Sequence, residues 1–335
     1  MTGVLAVHAH PDDETLSTGA LLATASAAGR GAVVVTCTRG ERGEVLALPG
    51  TTSHGLAALE GDGPALAAHR EVELTAALTA LGAGVPTFLD ELSDPRRGAA
   101  PAGTDRFEDS GMVWVRPGLA GPDPAVPGGF SLRPLDDGAA RLAGLVRRLR
   151  PDVVATYEAG GGYGHPDHVR AHQVTVQALH LAADPALEGG GEPWAAELWQ
   201  RVAPASTLRA ERAALAADPA VRALAAEAGL TFPDPDDALP ALARDDALLA
   251  AADDAGHLRT VDVAPVLGPV LDAMRAHATQ VQHATAAPAG SALAAAGVLG
   301  WYALSNGVLA PVGAQEVYLV TTPTGRRPTS VGSGA

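Results

Sequence analysis

Along the first ninety residues, short apolar runs alternate with stretches of helical periodicity. Val4-Leu5-Ala6-Val7 reads as a strand. Residues 15–28 repeat apolar positions at helical spacing and stop at Gly29, a residue suited to a left-handed C-cap. Residues 32–38 form a second strand, nearly all apolar, as a strand covered on both faces should be. The glycine-punctuated loop 39–44 follows. A helix over 67–81 ends at Gly82, and residues 86–89 make a third strand. Strand, helix, strand, helix, strand predicts parallel pairing with right-handed crossovers.

Periodicity is lost over 93–134, where Pro, Gly and Asp dominate. This stretch reads as an insertion over the sheet, long enough to bear on binding. A helix over 136–149 and a strand over 152–157 follow, then a helix from about 167 to 182. Residues 208–256 read as helical pieces broken by Pro233-Asp234-Pro235. Further strands are predicted at 198–202, 259–263 and 316–320, and a helix running to about residue 282. The uncharged stretch 284–309 is rich in Ala and Gly, which makes a poor spanning helix and a good flexible loop. The fold class is α/β: a Rossmann-like, mainly parallel sheet with helices on both faces and a smaller C-terminal subregion. It is read as one domain over 1–335, with a motif-bearing core at 1–182, the C-terminal subregion at 183–325 and a disordered tail at 326–335.

Composition narrows the function. The 335 residues are 47% hydrophobic and only 4% aromatic, so the chain is globular, with Ala-rich helices outside its core. A net charge of −15 repels phosphate backbones, which argues against nucleic acid as a partner. Cys37 is the only cysteine. No internal disulfide can form, and its strand neighbours read it as a buried, inert thiol in a reducing compartment. Met1-Thr2-Gly3 lacks a basic n-region, so the chain reads as cytoplasmic with no membrane partner. A homo-oligomer stays open.

The chemistry sits where strands end. Ala9-His10-Pro11-Asp12-Asp13-Glu14 follows the first strand, and Gly164-His165-Pro166-Asp167-His168 follows the one starting near 152. In parallel sheets, sites form beyond the carboxyl ends of strands, so these loops and the 40–44 loop gather on one edge. Asp12 and Asp13 would serve as helix caps by themselves. His10 just before them, and a second His cluster downstream, point instead to a divalent metal taken by His10 and Asp13, with Asp12 left as a free base. His168 and His172 have the i, i+4 spacing that places two imidazoles on one helix face. Tyr163 and His165 are candidate donors to an oxyanion. Asp167 is either a carboxylate orienting a nearby imidazole or a helix cap. His8 fits a His-x-His-x-Asp pattern, though a packed core histidine is the plainer reading. A nucleophile elbow, a phosphate loop and a dinucleotide glycine fingerprint are all missing.

These motifs resemble the zinc-dependent de-N-acetylases that act on N-acetylglucosaminyl-inositol compounds, and the resemblance runs nearly end to end. Stretches 35–38 with the 40–44 loop, 73–78, 109–112, 275–280 and 303–306 favour the branch that deacetylates N-acetylglucosaminyl-inositol in mycothiol biosynthesis. The resemblance implies zinc held by His10, Asp13 and His168, with iron the alternative ion in the cell. It implies Asp12 as general base, His165 and Tyr163 on the carbonyl oxygen, and Asp167 supporting His165. Arg70, Asp109 and Glu44 are implied as sugar and inositol contacts. The sister amidase of mycothiol S-conjugates tends to carry Lys shortly after Asp-Asp-Glu, where this chain has Thr15-Leu16-Ser17-Thr18. That amidase, a deacetylase of another N-acyl amino sugar, and a non-catalytic sugar-binding protein are the alternatives. The Ala-rich segments 208–256 and 284–300 depart from the family pattern and bear on substrate preference.

Overall fold

A computed structural model describes residues 2–96, 106–116, 119–123, 126 and 128–322. The expected disordered tail, 326–335, lies outside the described residues. The chain opens with β1 (Thr2–His8), α1 (Asp13–Ala27), β2 (Gly31–Thr36), α2 (Gly63–Leu81) and β3 (Thr87–Phe88). The region expected to be irregular holds a hairpin, β4 (Met112–Arg116) and β5 (Leu119–Pro122). Then come α3 (Leu135–Leu149), β6 (Val153–Tyr157), the one-turn α4 (Gly161–Gly164), α5 (Pro166–Ala183) and β7 (Glu197–Pro204). The C-terminal portion carries α6 (Ala205–Ala217), α7 (Pro219–Ala228), β8 (Ala243–Arg244), α8 (Asp246–Asp254), β9 (Leu258–Asp262) and α9 (Leu267–Ala276). It ends with β10 (Gln282–Ala286), α10 (Ala292–Ala295), β11 (Val298–Ala303), β12 (Leu309–Gly313) and β13 (Gln315–Thr321).

The central sheet runs β3-β2-β1-β6-β7-β13-β9, with β8 extending the end of β7. Pairing is parallel from β3 to β7, and β13 joins β7 and β9 antiparallel. Alternation along β1 explains its unbroken apolar run. Val4 and Ala6 face Leu22 of α1, Leu78 of α2 and Met274 of α9, while Leu5 and Val7 face Leu142 of α3 and Leu179 of α5. Burying a leucine such as Leu22 or Leu142 contributes about 2 kcal/mol. Among the described residues, no helix is long and apolar enough to cross a membrane.

Two expectations are corrected in the C-terminal portion. The helix expected to reach about residue 282 ends at Ala276. Beyond it the backbone turns because the side chains of His277 and Thr279 find buried carboxylates, Glu14 and Glu73, in other elements. Tertiary bonds there override helical spacing. The stretch expected as a flexible loop is the antiparallel sheet β10-β11-β12. Alanine and glycine give it little strand signal, but Trp301 and Leu309 pack with Leu215 of α6, Val221 of α7 and Leu293 of α10, and that burial holds it.

Helix α1 breaks at Thr18, whose φ of −135° and ψ of 16° are not helical. The break frees amide groups that Glu316 of β13 takes up. Its carboxylate accepts from Ala20 N–H at 2.7 Å and Leu21 N–H at 2.9 Å, and from the Tyr318 hydroxyl at 2.6 Å. Glu316→Ala would leave three buried donors unpaired. We expect it to lower the unfolding free energy by about 3 kcal/mol in urea titration; a loss below about 1 kcal/mol would contradict this account of the break.

Candidate active site

The loops after β1, β2 and β6 meet at one edge of the sheet. Beyond β1 the chain stays paired, with Thr38 N–H donating to Ala9 O at 2.9 Å and Ala9 N–H to the Tyr157 hydroxyl at 2.9 Å. Asp12 then takes a φ of 128°, a region that L residues rarely occupy and that costs about 1–3 kcal/mol. It stands at the N-cap position of α1, yet its side chain caps nothing. Its N–H donates to Glu14 Oε2 at 2.9 Å, and its carbonyl accepts from Thr15 and Leu16 N–H, each at 3.0 Å. Arg70 of α2, buried, braces the turn from outside. It donates to Pro11 O and, at 2.8 Å, to Gly40 O, and it lies 3.3 Å from Asp12 Oδ2. Gly40 has a φ of 63°, and a Cβ there would fall 2.0 Å from Arg70 Nη1. Only glycine fits beneath this guanidinium.

The second motif is set by Glu158, just past β6. Its carboxylate accepts from Gly160 N–H at 2.6 Å and Gly162 N–H at 2.9 Å and pairs with Arg244 of β8, which fixes the glycine turn leading to Tyr163. His165 precedes α5, and its Nδ1 accepts from Asp167 N–H at 3.1 Å. An acceptor at Nδ1 puts the proton of the neutral ring on Nε2, so Nε2 is a donor. The Asp167 side chain turns elsewhere. It accepts from Ser110 N–H at 2.9 Å and Ser131 N–H at 3.1 Å, and lies 3.3 Å from His10 Nε2. The imidazole that the Asp167 carboxylate meets is therefore His10, while His165 meets its backbone. His168 stacks on Tyr157 at 4.2 Å. His172 does not share the site; its Nδ1 contacts Tyr157 O at 2.9 Å. His8 is fully buried against Thr18, and Cys37 is likewise buried.

Together these loops build a nitrogen and carboxylate cluster. Asp13 reaches two imidazoles, His10 Nδ1 through Oδ2 and His168 Nε2 through Oδ1, each at 3.3 Å. His10, His165 and His168 bring ring nitrogens within 4.8 Å of one another, and Asp109 and Asp167 lie equally close about His10. Burial opposes charge on His10, but Asp109, Asp13 and Asp167 outweigh it and hold its pKa well above the ordinary value. Burial likewise opposes charge on Asp13, and His168 and His10 outweigh it. The site's own field thus favours a cation. His168 is buried, with Nε2 beside Asp13 Oδ1 and Nδ1 without a hydrogen-bond partner, an arrangement that leaves Nε2 and the Asp13 carboxylate turned toward a shared ion. Buried imidazoles beside carboxylates suit zinc or a similar borderline divalent ion, so the residues fit a metal.

Asp12 differs from its neighbour. Desolvation pushes its pKa up to about 6, with Arg70 pulling it back and Asp13 pushing it further. Burial, with His10 and His168 beside it, drives the His165 pKa well below the ordinary value, so the ring stays neutral. Burial and then Asp13 raise that of Tyr163, which stays a phenol. Its ring lies 5.1 Å from that of His168 and 6.0 Å from that of His165.

A cavity of about 1520 Å³ opens over the cluster. His10, Asp12, Asp13, Tyr163 and His165 line it, as do Arg70 and Glu44. Asp109 lies beneath that surface, with Oδ1 3.6 Å from His10 Nε2 and accepting from Gly111 N–H at 2.8 Å. Sequence reasoning missed Tyr157, although its place at the end of β6 marked it. It also missed the far wall, where Arg201, Glu211 and Tyr302 stand; burial raises the Glu211 pKa to about 7. Nothing local in the sequence signals that wall, because β7, α6 and β11 meet only in the fold.

Residues 5–179 match the family described as PIG-L: GlcNAc-PI de-N-acetylase. The 1D-myo-inositol 2-acetamido-2-deoxy-alpha-D-glucopyranoside deacetylase of Kineococcus radiotolerans is 41% identical, over 94% of this chain and 76% of its own length. The enzyme of the same name from Rhodococcus erythropolis is 36% identical, over 96% of this chain and 91% of its own. The crystal structure of the A40926 pseudoaglycone deacetylase superposes with a TM-score of 0.45 at 20% identity, covering 96% of this chain and 97% of that one.

Metal binding has a direct check. Zn2+ at about 100 times its Kd should raise the thermal midpoint of the wild-type chain by about 2–4 °C. His168→Ala should show no shift and retain less than about a tenth of the metal. One metal per chain in that variant would remove His168 from the site.

Proposed function

The chain belongs to the PIG-L family of GlcNAc-PI de-N-acetylases, and on that footing we propose that it removes acetate from N-acetylglucosaminyl-inositol, the deacetylation step of mycothiol biosynthesis. It is a hydrolytic deacetylase acting on a linear amide C–N bond. The observation that carries the substrate is identity of 36–41% over more than nine-tenths of the chain to deacetylases of that inositol glycoside. The observation that carries the chemistry is Asp12. It is a carboxylate in the cap position of a helix that caps nothing and instead lines a cavity beside a buried His and Asp cluster.

Zinc held by His10, Asp13 and His168 would supply Lewis acidity, polarising the amide carbonyl and bringing the pKa of a bound water down to about 7. His165 is left out of the ligand set because its Nε2 carries a proton and has no lone pair to give. That same N–H, with the Tyr163 hydroxyl, donates to the carbonyl oxygen as it gains charge. Asp12 takes the proton of the attacking water and passes it to the leaving amine, a double duty suited to a carboxyl whose pKa lies near 6. Asp167 orients His165 through its backbone N–H and His10 through its carboxylate. Arg70 and Glu44, which line the cavity, are assigned to the sugar and inositol hydroxyls. Asp109, expected beside them, is buried against His10 and off the cavity wall, so its part is to hold His10. The reaction is placed in the cytoplasm.

The test is release of free amine from N-acetylglucosaminyl-inositol by zinc-loaded protein, with metal-stripped protein as control. Zinc-dependent release is expected. No release from folded, zinc-bearing protein would move the assignment to a mycothiol S-conjugate or another N-acyl amino sugar. Asp12→Ala should lower kcat by about 10²–10⁴-fold with zinc content unchanged. Loss of zinc in that variant would make Asp12 a ligand and overturn these roles.

A further inference from the structure

The segment after α9 has no part in the chemistry above, yet from the far end of the chain it reaches Glu14, the residue that follows Asp12 and Asp13. His277 and Glu14 are both fully buried, and His277 Nε2 lies 2.7 Å from Glu14 Oε1. The two residues stand 263 positions apart in the chain. The second oxygen of Glu14 accepts the N–H of Asp12, the residue held at a φ of 128°. Thr15 Oγ1 donates to the first at 2.6 Å. His277 therefore touches a carboxylate that touches the strained peptide.

His277 itself is fixed by contacts independent of Glu14. Its carbonyl accepts from Gln280 N–H at 2.9 Å and Val281 N–H at 2.8 Å. Ser53 Oγ donates to Ala278 O at 3.0 Å. The N–H and hydroxyl of Thr279 donate to the Glu73 carboxylate at 2.8 and 2.6 Å, and Gln280 Nε2 donates to Glu44 O at 2.9 Å. The segment is a rigid shelf, and Glu14 rests on it.

We infer that His277 is a positioning residue: through Glu14 it holds the Asp12 peptide in its strained conformation and so keeps the Asp12 carboxylate turned into the cavity. This rests on Asp12 being the general base. The competing arrangement is the ordinary one. An Asp before a helix relaxes so that its side chain accepts from the free N–H groups of the first turn, and a carboxylate spent that way leaves the reacting amide. A displacement of about 1 Å at a reacting group costs about 100-fold in rate. Glu14 blocks the relaxation by claiming the Asp12 N–H, and His277 keeps Glu14 from swinging away.

Two amide variants separate positioning from mere packing, because His277 Nδ1 has no partner and Nε2 makes the contact. In His277→Gln the side-chain nitrogen reaches the place of Nε2; in His277→Asn it reaches only that of Nδ1. Both are assayed, full length and zinc-loaded, for amine release from N-acetylglucosaminyl-inositol, with kcat referred to folded, zinc-bearing molecules. His277→Gln should keep kcat within about threefold of wild type. His277→Asn should lose about 10- to 100-fold in kcat, with KM within about twofold and zinc unchanged. Equal kcat in the two variants, or a loss of zinc that accounts for the loss of rate, overturns the inference. Should His277→Asn fail to fold, Glu14→Ala, read in the same way, should lose kcat at constant KM and zinc; unchanged kcat there also overturns it. Asp12→Asn in the same assay isolates the premise. If that variant turns over normally, the base assignment is what has failed; if it is inactive while Gln and Asn at 277 are alike, only the role of His277 falls.

Discussion

A two-sided apolar strand leads into an imidazole, His10, with three carboxylates around it, and the need to satisfy that buried charge organises everything nearby. His10 cannot be buried just beyond β1 without Asp13, Asp109 and Asp167, and those carboxylates cannot be buried without donors of their own. The answer is drawn from loops far apart in sequence. Backbone amides of Ser110 and Ser131 hold Asp167, that of Gly111 holds Asp109, and that of His10 holds Asp13. Charge is thereby fixed in place before any substrate arrives, which is the condition under which electrostatic stabilisation is strongest.

The first half of the fold was legible because its signals are local. Residues 4–7 are apolar on both faces, Gly29 and Gly82 end their helices, and the strand and helix order leaves parallel pairing as the simple solution. The helices after β1 and β6 begin within two residues of where periodicity places them. The His-Pro-Asp motifs were legible for a related reason. Sheet topology says that loops after parallel strands share an edge, so two motifs 155 residues apart could be joined without knowing a single distance.

What stayed hidden is what forms only by meeting. Arg70, implied only as a sugar or inositol contact, also braces Pro11 and Gly40, which nothing near it in the sequence announces. The helix before His277 looks as though it should continue, and stops because Glu14 and Glu73 offer its successors better partners. Residues 284–309 lack strand propensity and still form a sheet, since Leu215, Val221 and Leu293 cover it. The carboxylate of Asp167 chose His10 over His165, a choice that spacing along α5 cannot express. In each case burial or a distant hydrogen bond outweighed the local pattern.

The contact between Gly40 and Arg70 has a consequence for how this site is held together. The guanidinium occupies the very space a β-carbon at position 40 would need, and it ties together the loops after β1 and β2. Any side chain at 40 evicts it, and once it is gone both loops lose their shared brace. Positions 40 and 70 are therefore one mechanical unit: a change at either removes the brace, and the pairing of Thr38 with Ala9 is left to carry the junction of the two loops.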